Sequence, residues 1–248
     1  METTAPAAAP AKLSAKPGAW VDLALTLPIF VVYHVGVIFL NVHNAADYLT
    51  FELFHFAENS KSLYILFTLA IGVVFTGVFA WLGRGEAFRP YKFVQIALEG
   101  IIYAFVMRLV GAYVVGHLFA GSSAIAQQGT FTGIIMSMGA GFYEELAFRV
   151  ILFGGGSAIL SWLLTDTAAA PSAGRTTKMF LSKLAWALVV ACIFSFVHYT
   201  GSLGDKFDLR SFVFRAVLGL ALTAIYATRG FAAAVWAHTA YDVWVLVL

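Results

Sequence analysis

The sequence predicts an all-α fold, a polytopic transmembrane helix bundle with seven or eight spans. Hydrophobic residues make up 61% of the chain and charged residues 11%, whereas soluble domains carry about 25% charged residues. The mean hydropathy is +0.86, and apolar runs of about 20 residues, long enough to cross a bilayer, recur along the chain. With a net charge of +2 and scattered basic residues, we expect no nucleic-acid partner.

The N-terminal residues 1–18 are rich in Ala and Pro and carry Lys12 and Lys16, which predicts a disordered tail. A secretory signal is the competing interpretation, but the apolar run from Trp20 to Val42 is longer than a signal core. Residues 19–248 are therefore predicted to form one transmembrane domain.

The predicted spans follow one another with short connections, and one glycine run leaves their number open. Residues 154–156 are all glycine, so Ser157 to Leu164 either continues the fourth span past a kink or forms a partial extra span. A turn between two short helices is preferred there over a hinge. The predicted spans are 20–42, 62–83, 93–120, a fourth from Phe131, then 180–199, 211–228 and 231–248, with loops at 43–61, 121–130, 165–179 and 200–210.

Charges in the loops predict the orientation in the membrane. Cytoplasmic loops favour Lys and Arg, which fits the basic tail and the loop with Arg84, Arg89 and Lys92, whereas the 43–61 loop is acidic. We therefore expect a multi-pass protein of a bacterial plasma membrane with a cytoplasmic N-terminus. A polar cavity is expected to open to the cytoplasm near Arg149.

Glu144, Glu145 and Arg149 interrupt the apolar run from Phe131 to Phe153. A charge at the bilayer centre costs about 2.5–3.5 kcal/mol on insertion scales, so charged residues there are expected to be paired or functional. Glu145 and Arg149 are four apart and can pair on one helix face. Glu144 is rotated by about 100° and must be protonated or held from another helix.

Other spans carry ionisable residues that can meet Glu144. His198 ends one apolar run, and His238 and Asp242 lie four apart on the last span. Each alone is more typical of a packing residue. Together, two carboxylates and two imidazoles from three spans can activate a water molecule and stabilise an oxyanion.

These motifs occur in a characteristic order. Glu-Glu-x-x-x-Arg from Glu144, Phe-x-x-x-His ending at His198 and His-x-x-x-Asp from His238 resemble the CPBP family of intramembrane proteases. That family includes the CAAX prenyl endopeptidases and the bacteriocin-processing and abortive-infection proteins. The resemblance covers about residues 131–248.

The resemblance implies a glutamic-type endopeptidase that hydrolyses a membrane-tethered peptide or protein in the lipid bilayer without a cofactor. Glu144 would be the general base that activates water, and His198 would help to hold that water. His238 and Asp242 would form the oxyanion side, and Glu145 and Arg149 would be a structural pair.

Asp242 departs from the amide that would serve best as an oxyanion donor, because an ionised Asp cannot donate a hydrogen bond. Either Asp242 is protonated in a pocket of low dielectric constant, or it accepts from His238 and keeps that ring cationic and oriented. The second arrangement is preferred.

Three alternatives stay open. Glu144, His198 and His238 could bind zinc with an open coordination position, although no local His-Glu-x-x-His motif is present. The chain could be a non-catalytic family member that acts as a scaffold or immunity protein. Intramembrane Glu, His and Asp also mark proton-coupled transporters, but the sequence shows no internal repeat of the transporter kind.

Overall fold

The structure is a computed structural model that describes residues 18–40, 44, 46–57, 60–82, 90–118, 129–164, 173–200 and 204–248. The predicted disordered tail lies outside the described residues except for Gly18, and so do Arg84 and Arg89 of the predicted basic loop. Within the described ranges the chain forms helices joined by short connections, without a strand. The prediction of an all-α bundle is confirmed.

The helices run in chain order from α1 to α10. One continuous helix, Thr130–Leu164, carries the Glu-Glu motif and is called the motif helix below. It comprises α6, two wider π-helical stretches at Ala140–Glu144 and Leu146–Gly155, and α7. The helices are α1 (Ala19–Ala24), α2 (Leu27–Leu40), α3 (Tyr48–Phe56), α4 (Lys61–Leu82), α5 (Tyr91–Leu118), α6 (Thr130–Gly139), α7 (Gly156–Leu164), α8 (Ala173–Val197), α9 (Leu209–Arg229) and α10 (Phe231–Leu246).

Because the motif helix is continuous, the described residues form no separate partial span after the three glycines. The preferred turn at residues 154–156 is wrong, because the helix continues through the three glycines and Ser157–Leu164 belongs to it. Packing explains why glycine is there: a Cβ on Gly156 would collide with the Trp186 ring. Among the described residues, five segments are long and apolar enough to cross a membrane, namely Ala19–Leu40, Tyr91–Val114, Thr130–Leu164, Thr176–Val197 and Leu209–Arg229; α4 and α10 pack beside them.

Two predicted loops contain helix. The 43–61 loop includes α3, whose first turn is capped by the Asp47 side chain accepting from Thr50 N at 2.8 Å. The predicted 165–179 loop is shorter than expected, because α8 begins at Ala173. The predicted turn at Arg229 and Gly230 is confirmed: Gly230 alone separates α9 from α10, with φ of 105°, a conformation that favours glycine.

The last helix, α10, is the most enclosed element described. Ala232, Ala233, Ala234 and Ala237 are fully buried, and small side chains of this kind let helices approach closely. Opposite them, Gly141 of the motif helix lies against Thr239, and a Cβ there would also lie 2.9 Å from Val235 O. This close approach brings the Glu-Glu motif next to His238.

The other ionisable residues of the spans follow two patterns. His34 is buried and bonds the hydroxyls of Tyr64 and Tyr143 at 3.1 and 2.7 Å, as expected of a bundle-facing residue. Ionisable residues of spans, Arg108 and His117 included, are expected to face the bundle interior or a water-filled cavity, but these two side chains are exposed on the bundle. Arg108 lies over the Trp244 ring, and His117 bonds the carbonyl of Tyr113 in its own helix.

Contacts between helices define two ends of the bundle. At one end, called the site end, Asn44 just after α2 contacts Glu144, and His34 of α2 meets Tyr64 in the first turn of α4. At the opposite end, Asp22 of α1 accepts from the backbone N–H of Phe231 and Ala232 at the start of α10. The ends of the helices therefore alternate between these two sides along the chain.

Candidate active site

Glu144 lies where the motif helix, the end of α8 and α10 meet. Its side chain is 14% exposed, and its Oε2 atom is 3.9 Å from His198 Nε2 and 4.0 Å from His238 Nε2. Oε2 is buried without a hydrogen-bond partner among the described residues. Separations near 4 Å exceed a direct hydrogen bond, but a single water molecule at about 2.8 Å from each atom can bridge them.

Glu144 ends one π-helical stretch and Glu145 separates it from the next, whereas the sequence predicts α-helical geometry throughout. The wider stretches at Ala140–Glu144 and Leu146–Gly155 have i→i+5 hydrogen bonds, and such segments often mark functional sites. The predicted contact between Glu145 and Arg149 is nevertheless present, with Nη1 3.0 Å from Oε1. Adjacent carboxylates thus face different partners.

His198 follows directly after α8, and its own helix determines which ring nitrogen faces Glu144. Its Nδ1 is 2.8 Å from the carbonyl oxygen of Phe194. A carbonyl can only accept, so Nδ1 carries the hydrogen and, in a neutral ring, Nε2 is left as an acceptor. The acceptor nitrogen therefore points towards Glu144.

His238 is buried in α10 and has a carboxylate near each nitrogen. Its Nδ1 is 2.8 Å from Glu145 Oε1, and its Nε2 is 3.5 Å from Asp242 Oδ2. The short contact means that Nδ1 donates to Glu145, which sets the plane of the ring. The orienting role predicted for Asp242 is thus filled by Glu145, whereas the protonation state of Asp242 stays a prediction.

Glu145 and Arg149 form the most deeply buried ion pair described, with side chains 0% and 1% exposed. Arg149 also donates to the carbonyl of Gly219 at 3.3 Å and lies over the Phe194 ring at 4.4 Å. Removal of one partner of such a pair is costly, about 3–5 kcal/mol, because a charge is left buried. Glu145 therefore contacts both Arg149 and His238, and it links the buried ion pair to the candidate site.

Two contacts of the site were not predicted from the sequence: one from Asn44 to Glu144 and one from His238 to Glu145. The Asn44 side chain donates from Nδ2 to Glu144 Oε1 at 3.1 Å, although Asn44 lies in a polar loop 100 residues away. The bond from His238 to Glu145 was also missed. No periodicity or motif signals the first contact; the second could have been suspected from two buried charges close to one imidazole.

Comparison with known proteins supports the resemblance. A family model described as type II CAAX prenyl endopeptidase Rce1-like matches residues 126–244. These residues are an Rce1-like domain. It includes all six residues named from the sequence, and together with the apolar helices it shows an integral membrane protein that carries a domain of the CAAX protease family. No curated protein and no solved structure matches the chain.

The Rce1-like domain does not supply every contact to Glu144. Asn44 and the α2–α3 connection precede the matched residues, so the N-terminal half of the chain contributes to the same cluster. The resemblance seen in the sequence covers only about residues 131–248 and so gives no role to Asn44.

The zinc alternative can be compared with the geometry of the Rce1-like domain. Ligand atoms of a tetrahedral zinc site lie about 3.3 Å apart, given bonds of about 2.0–2.1 Å, whereas Glu144 Oε2 is 3.9 and 4.0 Å from the two imidazole nitrogens. No group of three His, Cys, Asp or Glu in the described ranges has metal-binding geometry. The donor atoms as arranged are thus spaced more widely than zinc ligands, and the absence of a metal stays a prediction.

Proposed function

We propose that the protein is an intramembrane endopeptidase of the glutamic type that hydrolyses a membrane-tethered peptide. The proposal depends mainly on one observation: the Oε2 atom of Glu144, without a hydrogen-bond partner among the described residues, faces the Nε2 atoms of two histidines at 3.9 and 4.0 Å. The Rce1-like match supports the same class of reaction.

In this mechanism Glu144 and His198 hold the attacking water. One water hydrogen points to Glu144 Oε2 and the other to His198 Nε2, which leaves an oxygen lone pair for the substrate carbonyl. Glu144 takes a proton as the water oxygen bonds to the carbonyl carbon, and then passes that proton to the amine nitrogen as the C–N bond breaks. General base catalysis of this kind contributes about 10²–10⁴-fold to the rate.

His238 serves the oxyanion. A doubly protonated ring donates from Nδ1 to Glu145 and from Nε2 to the oxygen that becomes negative. The Asp242 carboxylate, 3.5 Å from Nε2, favours that cationic form by its charge. Its separation exceeds a good hydrogen bond, so the Nε2 hydrogen remains free for the substrate.

Comparing membrane peptides from cells that express the wild type or Glu144→Gln tests this function. The variant keeps an oxygen acceptor for Asn44, so we expect a folded protein whose substrate accumulates uncleaved, with a rate at least about 100-fold lower. Cleavage at the wild-type rate would remove Glu144 as the base. A wild type that changes no peptide would favour the scaffold or immunity interpretation.

The same cleavage assay tests for a metal. We expect activity to be unchanged by strong chelators, and a reversible loss restored by zinc would establish the zinc alternative.

We further propose that the N-terminus is cytoplasmic and that the site opens on the opposite face of the membrane. A cytoplasmic N-terminus and the predicted cytoplasmic opening are incompatible, because Asn44 follows the first span and contacts Glu144.

Basic residues cluster on the N-terminal side, whereas the site end has few. In the sequence, residues 1–18, 83–92 and 165–178 carry Lys12, Lys16, Arg84, Arg89, Lys92, Arg175 and Lys178 with Glu2, Glu86 and Asp166; residues 43–61 and 200–210 carry Lys61, Lys206 and Arg210 with Asp47, Glu52, Glu58, Asp205 and Asp208. The substrate is then a peptide presented at the external face. A leader peptide, a C-terminal sorting segment and the prenylated tail that the family description names are the candidates.

Thiol labelling tests this orientation. In a Cys192→Ala background, a membrane-impermeant maleimide should label Phe207→Cys at the site end in intact cells, because Phe207 is exposed. Tyr91→Cys, at the exposed start of α5, should be labelled only after permeabilisation. The reverse pattern would restore the cytoplasmic opening and place the N-terminus outside.

A further inference from the structure

Asn44 is a polar loop residue that is almost fully enclosed, with an exposed fraction of 8%. It lies between α2 and α3, outside the Rce1-like domain. Its amide nitrogen Nδ2 is 3.1 Å from Glu144 Oε1, the carboxylate oxygen that does not face the two histidines.

The orientation of the Asn44 amide is set by its other hydrogen bonds. The backbone N–H of Ala46 donates to Asn44 Oδ1 at 2.8 Å, which identifies that atom as the oxygen and leaves Nδ2 for Glu144. The backbone N–H of Asn44 donates to the Tyr33 hydroxyl at 2.9 Å, and this hydroxyl donates to Asp47 at 2.7 Å. Tyr33 and Asp47 thus hold the backbone of Asn44 in place.

A fixed donor on one oxygen has a consequence for the other oxygen of Glu144. The terminal torsion of a Glu side chain is broad and poorly determined by itself, so a free carboxylate would turn either oxygen towards the histidines. With Oε1 bound to Asn44, Oε2 is held towards His198 and His238 at 3.9 and 4.0 Å. The base is then pre-oriented before a water molecule or a substrate arrives.

We propose that Asn44 is a positioning residue that orients the Glu144 carboxylate for proton abstraction, supplied by the N-terminal half of the chain. This inference rests on the proposed function, because it assigns a role relative to the Glu144 base. Asn44 itself contacts neither water nor substrate in this role.

Two substitutions at this position separate orientation from folding. Asn44→Asp keeps an acceptor for Ala46 N–H but replaces the donor with a carboxylate that faces Glu144. Asn44→Ser also keeps a local acceptor but is too short to reach Glu144. With the peptide whose cleavage stops in Glu144→Gln as the substrate, both should lower kcat about tenfold or more, with KM changed by less than about twofold.

A stability cycle tests the contact independently of activity. Asn44→Asp should lower Tm in the wild-type background, where two carboxylates face each other. It should lower Tm much less in the Glu144→Gln background, because the introduced amide can donate to the new carboxylate. Equal Tm losses in the two backgrounds would contradict the contact.

A matched control separates positioning from general loosening of the loop. Tyr48→Ala changes an exposed side chain at the start of α3 and removes none of the bonds that hold Asn44, so it should leave kcat unchanged. If Tyr48→Ala lowers kcat as much as Asn44→Ser does, or if Asn44→Ser leaves kcat unchanged, the proposal is overturned. Cleavage by Glu144→Gln at the wild-type rate would instead overturn the proposed function, so the two failures are distinguishable.

Discussion

Two groups of charges lie within the bundle, and they are paired in different ways. Glu99 and Arg229 match one carboxylate to one guanidinium through three contacts of 2.7–3.1 Å, and Gln95 adds a donor at 3.0 Å. The candidate active-site cluster has three carboxylates, of Glu144, Glu145 and Asp242, and its buried guanidinium, of Arg149, pairs with Glu145.

The difference distinguishes a charge that stabilises a bundle from one that is available for chemistry. Intramembrane ionisable residues normally pair with each other, as Glu99 does. Glu144 Oε2 instead lies 3.9 and 4.0 Å from two imidazole nitrogens, too far for a direct hydrogen bond with either. Incomplete pairing in a partly exposed cluster is the pattern expected of a functional site.

The largest stability effect is expected at Glu145, which forms a buried ion pair with Arg149 and also bonds His238 of the candidate site. Glu145→Ala leaves Arg149 buried and unpaired, so the free energy of unfolding should fall by about 3–5 kcal/mol, measured by thermal or denaturant unfolding in detergent. Cleavage should also fall, because His238 Nδ1 loses its acceptor.

A double variant separates these two roles of Glu145. Glu145→Ala with Arg149→Leu removes the charge that was left unpaired, so most of the stability should return, while cleavage stays reduced because His238 is still unanchored. A double variant with wild-type activity would show that Glu145 acts only through Arg149. Unchanged stability in the single variant would contradict the buried pair itself.

The sequence predicted the parts of the fold and site that polar residues within apolar runs reveal. Glu144, His198 and His238 stand out because ionisable side chains are expensive in lipid, and their convergence follows from that cost. The pairing of Glu145 with Arg149 followed from a spacing of four, which remained adequate even in a π-helical stretch.

The remaining features depend on tertiary packing that local patterns do not encode. Asn44 is an ordinary loop residue by type, and only the packing of α2 against the motif helix brings it to Glu144. The glycines at 154–156 resemble a helix break in the sequence, but they are sites of close packing. Gly156 leaves room for the Trp186 ring, and a Cβ added at Gly154 would lie 3.1 Å from the Tyr226 hydroxyl oxygen. Small residues can therefore mark close packing as well as a turn, and a single sequence does not distinguish the two.

The smallest effect is expected at Glu99, and it tests the comparison most directly. The side chains of Glu99 and Arg229 are 21% and 17% exposed, so water screens the pair. Glu99→Gln should lower the free energy of unfolding by about 1 kcal/mol, while kcat stays within about twofold of the wild type. Arg229→Gln is the matched control and should give a similar loss, because either change breaks the same pair.

The physical reason is that both oxygens of Glu99 already accept hydrogen bonds, from Arg229 and Gln95. The pair closes α5 against the end of α9, and only Nη1 of Arg229 has no hydrogen-bond partner among the described residues. If Glu99→Gln lowered kcat more than about tenfold at unchanged Tm, full pairing would no longer distinguish a structural charge from a functional one. A small Tm shift with normal cleavage would instead leave incomplete pairing as the property that sets Glu144 apart.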